Sequence, residues 1–157
     1  MNLQVVRAQT PEQFSRYRDL IIEYEQSLPV DLRHVEFIQE LNDIGAHYGP
    51  PNAGFVAMLG ETPAGCVALT RLDATTGIVK RMYVPPQHRG RGIARALMAA
   101  LMEHARAVAI QRLVLDTARE RLQAAYALYR SLGFCECAPY GEVDYGCPTF
   151  MELLLEA

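Results

Sequence analysis

A glycine-rich turn between a strand pattern and a helix pattern constrains the fold of this chain more than any other segment. The apolar run Ile78–Val84 predicts a buried strand, and residues 92–109 repeat apolar side chains at helical spacing. Positions 87–92 between them read Gln-His-Arg-Gly-Arg-Gly. Two glycines at a strand-to-helix turn leave backbone amides uncovered at the helix N-terminus, where the helix dipole favours an anion. The segment therefore predicts a strand–turn–helix unit with an anion site at the turn.

Charge around this turn supports the same interpretation. Arg89, Arg91 and Arg95 are clustered there, and residues 74–102 contain no Asp or Glu, although the whole chain of 157 residues carries a net charge of −3. A net acidic chain with a local basic patch argues against general nucleic-acid binding. The expected ligand is small and bears phosphate.

Composition indicates an ordinary globular protein. Half of the residues are apolar and 21% are charged, and the length predicts a single domain spanning residues 1–157. The N-terminus has no signal-peptide pattern and no apolar run is long enough to span a membrane, so we expect a cytoplasmic protein. The four cysteines, Cys66, Cys135, Cys137 and Cys147, lack the spacing of a metal site and are predicted to be buried free thiols. The spacing Cys135-x-Cys137 predicts that these two side chains lie on the same face of a strand.

The order of predicted elements indicates a mixed sheet. Strands are predicted at Leu3–Arg7, Phe55–Leu59, Cys66–Leu72, Ile78–Val84, Arg112–Thr117, Phe134–Ala138 and Phe150–Leu155, with a hairpin loop over 60–65. A first helix is predicted to begin at Thr10, the capping residue, with Pro11 at the first helical position and Gln13 three residues after the cap. Further helices are predicted over Leu32–Asn42, Gly92–Ala109 and Gln123–Leu132, the last one capped by Gly133. This order predicts an α/β (α+β) fold: a mixed, mostly antiparallel sheet of six to seven strands with helices on both faces.

A second motif, Leu128–Phe134, follows the next predicted strand by about one helix and reads Leu-Tyr-Arg-Ser-Leu-Gly-Phe. Together with the turn at 87–92, it resembles the GNAT superfamily of acyl-CoA-dependent N-acetyltransferases, and the element order is similar over nearly the whole length. The resemblance implies a cytoplasmic enzyme that uses acetyl-CoA, without a metal, to acetylate a small amine or a peptide amine. It implies no nucleic-acid or membrane partner, and a homodimer remains an open alternative.

The resemblance also implies site residues. The acetyl-CoA site is expected at Met82, Tyr83, Val84, Arg89, Gly90, Arg91, Gly92, Ile93, Ala94, Arg95, Leu122 and Tyr129. The turn amides would bind the pyrophosphate, and strand backbone would pair with the pantetheine arm. Tyr129 is the expected general acid that protonates the departing thiolate. The alternative is that Tyr126 and Tyr129, three residues apart on one helix face, are core aromatics.

Two departures from the family pattern stand out. Ile78 replaces a Glu that often relays the amine proton, and Leu122 replaces an Asn that contacts CoA. The resemblance therefore does not identify the general base, and the candidate carboxylates are Glu23, Glu40, Asp73 and Glu152. Two rival functions follow: a CoA-binding sensor or interaction domain with little turnover, and a module that binds ATP or NAD.

The early helices are rich in acidic residues and predict a cationic acceptor. The acidic residues are Glu23, Glu25, Asp31, Glu36, Glu40 and Asp43, against the basic Arg33 and His34 alone. Such a rim would attract a basic amine.

Overall fold

The computed structural model describes residues 2–33, 36–143 and 145–156, which build one seven-stranded sheet. The strands are β1 (Leu3–Arg7), β2 (Ala53–Leu59), β3 (Thr62–Arg71), β4 (Thr76–Tyr83), β5 (Arg112–Thr117), β6 (Cys135–Glu136) and β7 (Thr149–Leu154). Their order in the sheet is β1-β2-β3-β4-β5-β7-β6, and the pair β4–β5 is parallel while the other pairs are antiparallel. The predicted mixed, mostly antiparallel sheet is confirmed.

Five helices accompany the described strands: α1 (Pro11–Ser27), α2 (Phe37–Asn42), α3 (Ile44–His47), α4 (Ile93–Ala107) and α5 (Gln123–Ser131). The start of α1 is as predicted, because Thr10 and Gln13 cap each other's backbone amides. The end of α5 is also as predicted, with Gly133 at φ +103°.

The predicted helix over Leu32–Asn42 forms only over Phe37–Asn42, and its first part is wrong. The chain instead forms a 3-10 turn at Val30–Leu32 and the short α2, while His34 and Val35 lie outside the described residues. Leu32 packs with Leu28 and Ala118, whereas Glu40 binds Arg81 of β4. The two halves are held by different tertiary contacts rather than by one amphipathic face.

Several element boundaries also differ from the prediction, two of them by enough to change a loop or a strand. The β2–β3 loop is only Gly60-Glu61, because β3 begins at Thr62. Strand β6 ends at Glu136, so Cys137 lies beyond it. Burial of the thiols was predicted correctly only for Cys66, since Cys135 and Cys147 are exposed and Cys137 is half-buried; all four are free.

Both faces of the sheet are buried. Successive side chains of a strand point to opposite faces, so each strand contributes to two clusters. On β2, Val56 and Met58 pack with Tyr17 and Ile21 of α1. Phe55, Ala57 and Leu59 point the other way, into the cluster that contains α4, Tyr129 and Phe134. Helices therefore cover both faces, as predicted, and none of those in the described ranges has the length and apolarity that a bilayer crossing demands.

The parallel pair β4–β5 comes apart after three residues. Thr76, Gly77 and Ile78 pair with residues 112–114, and beyond this point the two strands continue to Tyr83 and Thr117 without pairing each other. An irregularity in β4 adds to the divergence: Arg81 has φ +57°, and the register with β3 shifts there. The result is an opening between two strands in the middle of the sheet.

Candidate functional site

The opening between β4 and β5 leads into a cavity of about 1000 Å³. Six segments line it: the second half of β4, the turn before α4, the end of β5, the helix α5, the early helices and the β6–β7 loop. The cavity therefore joins segments that are far apart in the sequence.

The glycine-rich turn forms one end of this cavity. Gly90 and Gly92 have φ of +80° and +77°, conformations that favour glycine, and a Cβ added at either position would meet no atom within 4 Å. Gly92 caps α4, and its carbonyl accepts the first helical hydrogen bond from Ala96 at 3.1 Å. The amides of residues 93–95 precede that bond and have no helical acceptor. The turn thus presents several N–H donors to open space.

Two arginines of the turn are held by the protein itself. Arg89 donates from Nε to the carbonyl of Val84 at 2.9 Å, and Arg95 donates to the hydroxyl of Ser131 at 2.8 Å. Both line the cavity, whereas Arg91 is exposed and lies outside its lining. The positive charge at this end therefore comes from Arg89 and Arg95, together with the N-terminus of α4.

The cavity lining includes every residue predicted for the acetyl-CoA site except Arg91. These residues are Met82, Tyr83, Val84, Arg89, Gly90, Gly92, Ile93, Ala94, Arg95, Leu122 and Tyr129. Three separate stretches of sequence thus meet at one surface.

Tyr129 lies on the inner face of α5 and is 6% exposed. Its ring packs edge-on against Phe134 with centroids 5.7 Å apart, so it is a core aromatic as well as a cavity residue. Burial raises the pKa of Tyr129 above its ordinary value, and the charges of Tyr24 and Asp116 add to the rise. The phenol therefore stays protonated at neutral pH. Tyr126 is half-buried and donates to Glu136, away from the cavity.

A buried ion pair supports the floor of the cavity on the α1 side. Arg81 donates to Glu40 from Nε at 3.0 Å and from a terminal nitrogen at 2.7 Å, and Tyr48 donates to the same carboxylate at 2.5 Å. Burial by itself would raise the pKa of Glu40, but Arg81 and Tyr48 bring it below its ordinary value. Glu25 lies 3.6 Å from a third Arg81 nitrogen.

The predicted candidates for the general base are dispersed by the fold. Asp73 is exposed and accepts from the amides of Thr75 and Thr76 in a turn, and Glu152 pairs with Arg112 at 2.8 Å. Neither lines the cavity. Glu23 accepts from the hydroxyl of Tyr83 at 2.6 Å, and Glu40 is engaged by Arg81.

Three of the six carboxylates of the predicted acidic rim are paired with arginines. Arg81 reaches Glu25 and Glu40 from β4, and Arg121 pairs with Asp31. The charge count along the early helices therefore overstates the negative charge that a ligand meets.

A polar cluster that the sequence pattern did not reveal lies at the end of β5. Asp116 lines the cavity and accepts a hydrogen bond from Tyr140 at 2.5 Å and from Tyr145 at 2.7 Å. Both tyrosines come from the loop between β6 and β7. Arg81 was missed in the same way, although a basic residue inside an apolar strand is a sign that a buried partner exists.

Comparison with known proteins gives a consistent result. Residues 14–134 match the model of the Acetyltransferase (GNAT) family. An uncharacterized N-acetyltransferase of Schizosaccharomyces pombe is 29% identical over 142 residues, covering 88% of this chain and 86% of that protein. The alignments with two further relatives cover 64% of each of them.

Solved structures share the fold. A GNAT-family acetyltransferase of Staphylococcus aureus superposes with a TM-score of 0.82 at 17% identity, covering 99% of this chain and all of that one. A protein of Salmonella typhimurium solved with its cofactor acetyl-CoA superposes with a TM-score of 0.75 at 21% identity, covering 98% of this chain and 94% of that one.

Proposed function

This chain belongs to the GNAT family of acetyltransferases, and we propose that it moves an acetyl group from acetyl-CoA to a primary amine by direct attack on the thioester. One observation carries the proposal. The uncovered turn before α4, the opening between β4 and β5, and the Tyr129 phenol all face a single cavity.

The residues of the turn suit the pyrophosphate of acetyl-CoA. The space above Gly90 and Gly92 is open, and the first amides of α4 face it without helical acceptors. Hydrogen bonds to a charged group contribute about 1.5–3 kcal/mol each, so a few of them reach the roughly −8 kcal/mol of micromolar binding after the ordering cost. The backbone of Met82 and Val84, next to the opening, would pair with the pantetheine arm.

Bound acetyl-CoA supplies an acetyl thioester, whose sulfur leaves as a thiolate that needs a proton. Tyr129 holds such a proton at its hydroxyl, because burial keeps its pKa above the ordinary value of about 10. None of the four cysteines lines the cavity, and burial raises the pKa of the Cys66 thiol in the core. This arrangement favours direct attack by the amine over a covalent enzyme intermediate.

Thermal unfolding with added ligand tests the binding part. Acetyl-CoA at a hundred times its dissociation constant should stabilise the protein by about 2.7 kcal/mol, and ATP or NAD should do much less. Equal stabilisation by all three would contradict the acetyl-CoA site and favour a general nucleotide module.

Release of CoA in the presence of a panel of amines tests the transfer part. The rival is a CoA-binding sensor, which the half-buried Ile78 at the family's Glu position favours. A protein that binds acetyl-CoA tightly and acetylates no amine in the panel would be that sensor.

A further inference from the structure

We propose that Asp116 is the subsite that binds the ammonium group of the acceptor, and that the acceptor is a primary amine carried on an apolar body. The bound ammonium group first releases one proton to solvent, and the neutral nitrogen then forms its bond to the acetyl carbon as the C–S bond breaks. Tyr129 gives its proton to the departing thiolate, and a second proton lost by the nitrogen replaces it. The inference rests on the proposed function and names the substrate class for the same cavity.

The position of Asp116 follows from strand alternation. Leu113 and Leu115 of β5 point into the cluster that contains α4. Asp116 therefore points to the opposite face, where the early helices lie, and it lines the cavity there. Tyr129 also lines this cavity, so the carboxylate and the proposed acid share one space.

The hydrogen bonds of Asp116 leave room for a ligand. Tyr140 donates to Oδ1 and Tyr145 donates to Oδ2. A carboxylate has about four acceptor positions, so these two bonds fix its orientation and leave the others for further N–H donors. Both of these donors, Tyr140 and Tyr145, are neutral phenols, so they do not cancel the negative charge of the carboxylate. Two of the cations that line the cavity are paired with other carboxylates: Arg121 with Asp31, and Arg81 with Glu40.

An apolar wall adjoins the carboxylate. Leu28, Leu32 and Ala118 form a buried cluster, against which Tyr24, Leu122 and Tyr145 pack. All six residues also line the cavity. Tyr145 belongs to both features, because its ring joins the wall while its hydroxyl holds Asp116. Tyr24 supplies a second aromatic ring to the same wall.

A carboxylate beside aromatic rings and aliphatic side chains suits an alkyl- or arylalkylammonium ion. The charge binds the carboxylate, the ring faces attract a cation, and the wall accepts an apolar body. An α-amino acid would bring its own carboxylate next to Asp116, and like charges repel. We therefore expect 2-phenylethylamine to be a better acceptor than either ethanolamine or phenylalanine.

Steady-state kinetics of Asp116→Asn test the charge. The KM for 2-phenylethylamine should rise about 10- to 100-fold, the loss expected for one hydrogen bond to a charged group. The dissociation constant for acetyl-CoA should stay within about twofold. Asp19→Asn is the matched control, because it removes the same charge from an exposed position of α1 and should leave the KM unchanged. An unchanged KM in Asp116→Asn would refute the subsite.

Calorimetry on the wild-type protein with saturating CoA provides a test that needs neither turnover nor a variant. N,N-dimethyl-2-phenylethylamine, a cationic tertiary amine, should bind at least tenfold more tightly than the neutral 2-phenylethanol, and equal binding would refute the inference. If the tertiary amine binds while no primary amine is acetylated, the ammonium subsite stands and the proposed transferase function fails.

Discussion

A side chain at Gly90 or Gly92 should separate the cost to stability from the cost to ligand binding. Both residues have φ near +80°, and a left-handed conformation costs an L-residue about 1–2 kcal/mol. No atom lies within 4 Å of an added Cβ, so packing adds no further penalty in the free protein. For a chain of this length, Gly92→Ala should therefore lower the Tm by about 2–8 °C.

The effect on acetyl-CoA binding should be larger. A Cβ would occupy the space where phosphate oxygens approach the amides, and each lost bond to a charged group is worth about 1.5–3 kcal/mol. The Kd should rise about 10- to 100-fold. If the free variant relaxes to negative φ, the Tm change shrinks, but the strain must then be restored on binding and the Kd rises further. A smaller loss of stability is therefore accompanied by a larger loss of binding free energy, and we expect the sum of the two free energies to stay the same.

Calorimetry of acetyl-CoA binding and thermal unfolding without ligand measure the two losses. Gly141→Ala is the matched control, because its added Cβ also meets open space and its φ lies outside the left-handed region. It should change neither quantity appreciably. A Gly92→Ala protein with wild-type affinity and a lowered Tm would show that the turn is only structural. A larger side chain, as in Gly90→Val, should amplify the binding loss.

Two further perturbations test the acid and the buried ion pair. Tyr129→Phe keeps the ring against Phe134 but removes the proton donor, so turnover should fall about ten- to a thousand-fold with nearly unchanged acetyl-CoA affinity; wild-type turnover would leave Tyr129 as a core aromatic alone. Because Arg81 and Tyr48 hold the pKa of Glu40 below its ordinary value of about 4.5, protonation weakens the folded state, and the Tm should fall as the pH drops below that value. Glu40→Gln should make the Tm depend less on pH in this acidic range. An unchanged dependence would show that other carboxylates cause the fall in Tm. Arg81→Met should lower the free energy of unfolding by about 3–5 kcal/mol, because it leaves Glu40 buried without its cation.

The early helices show where reasoning from sequence failed and why. A continuous helix over Leu32–Asn42 and an acidic rim were both inferred from residues close together in the chain. Leu32 and Glu40 have different distant partners on either side of the break in the helix, and Arg81 and Arg121 pair with part of the rim. These partners are distant in the sequence, so the pattern along the early helices could not identify them.

The end of the cavity at the glycine-rich turn was accessible from the sequence for a physical reason. A glycine turn at positive φ, a helix start without acidic residues and a strand before it are all properties of contiguous residues. The chain itself therefore determined the glycine-rich turn, the two faces of α4, the capping of α1 and the mixed sheet. The same local chemistry places Tyr129 on the inner face of α5.

Only the tertiary structure decided what surrounds the other end. Three features there depend on residues separated by 24 to 41 positions: the limited pairing of β4 with β5, the Arg81–Glu40 pair, and the hydrogen bonds of two tyrosines to Asp116. A carboxylate in a strand has the same sequence pattern whether it faces solvent or a cavity, and long-range hydrogen bonds settle which. The sequence thus determined the conformation of the glycine-rich turn, and the packing of distant loops determined the other end of the cavity, because local patterns encode backbone conformation whereas a cavity depends on the arrangement of whole elements.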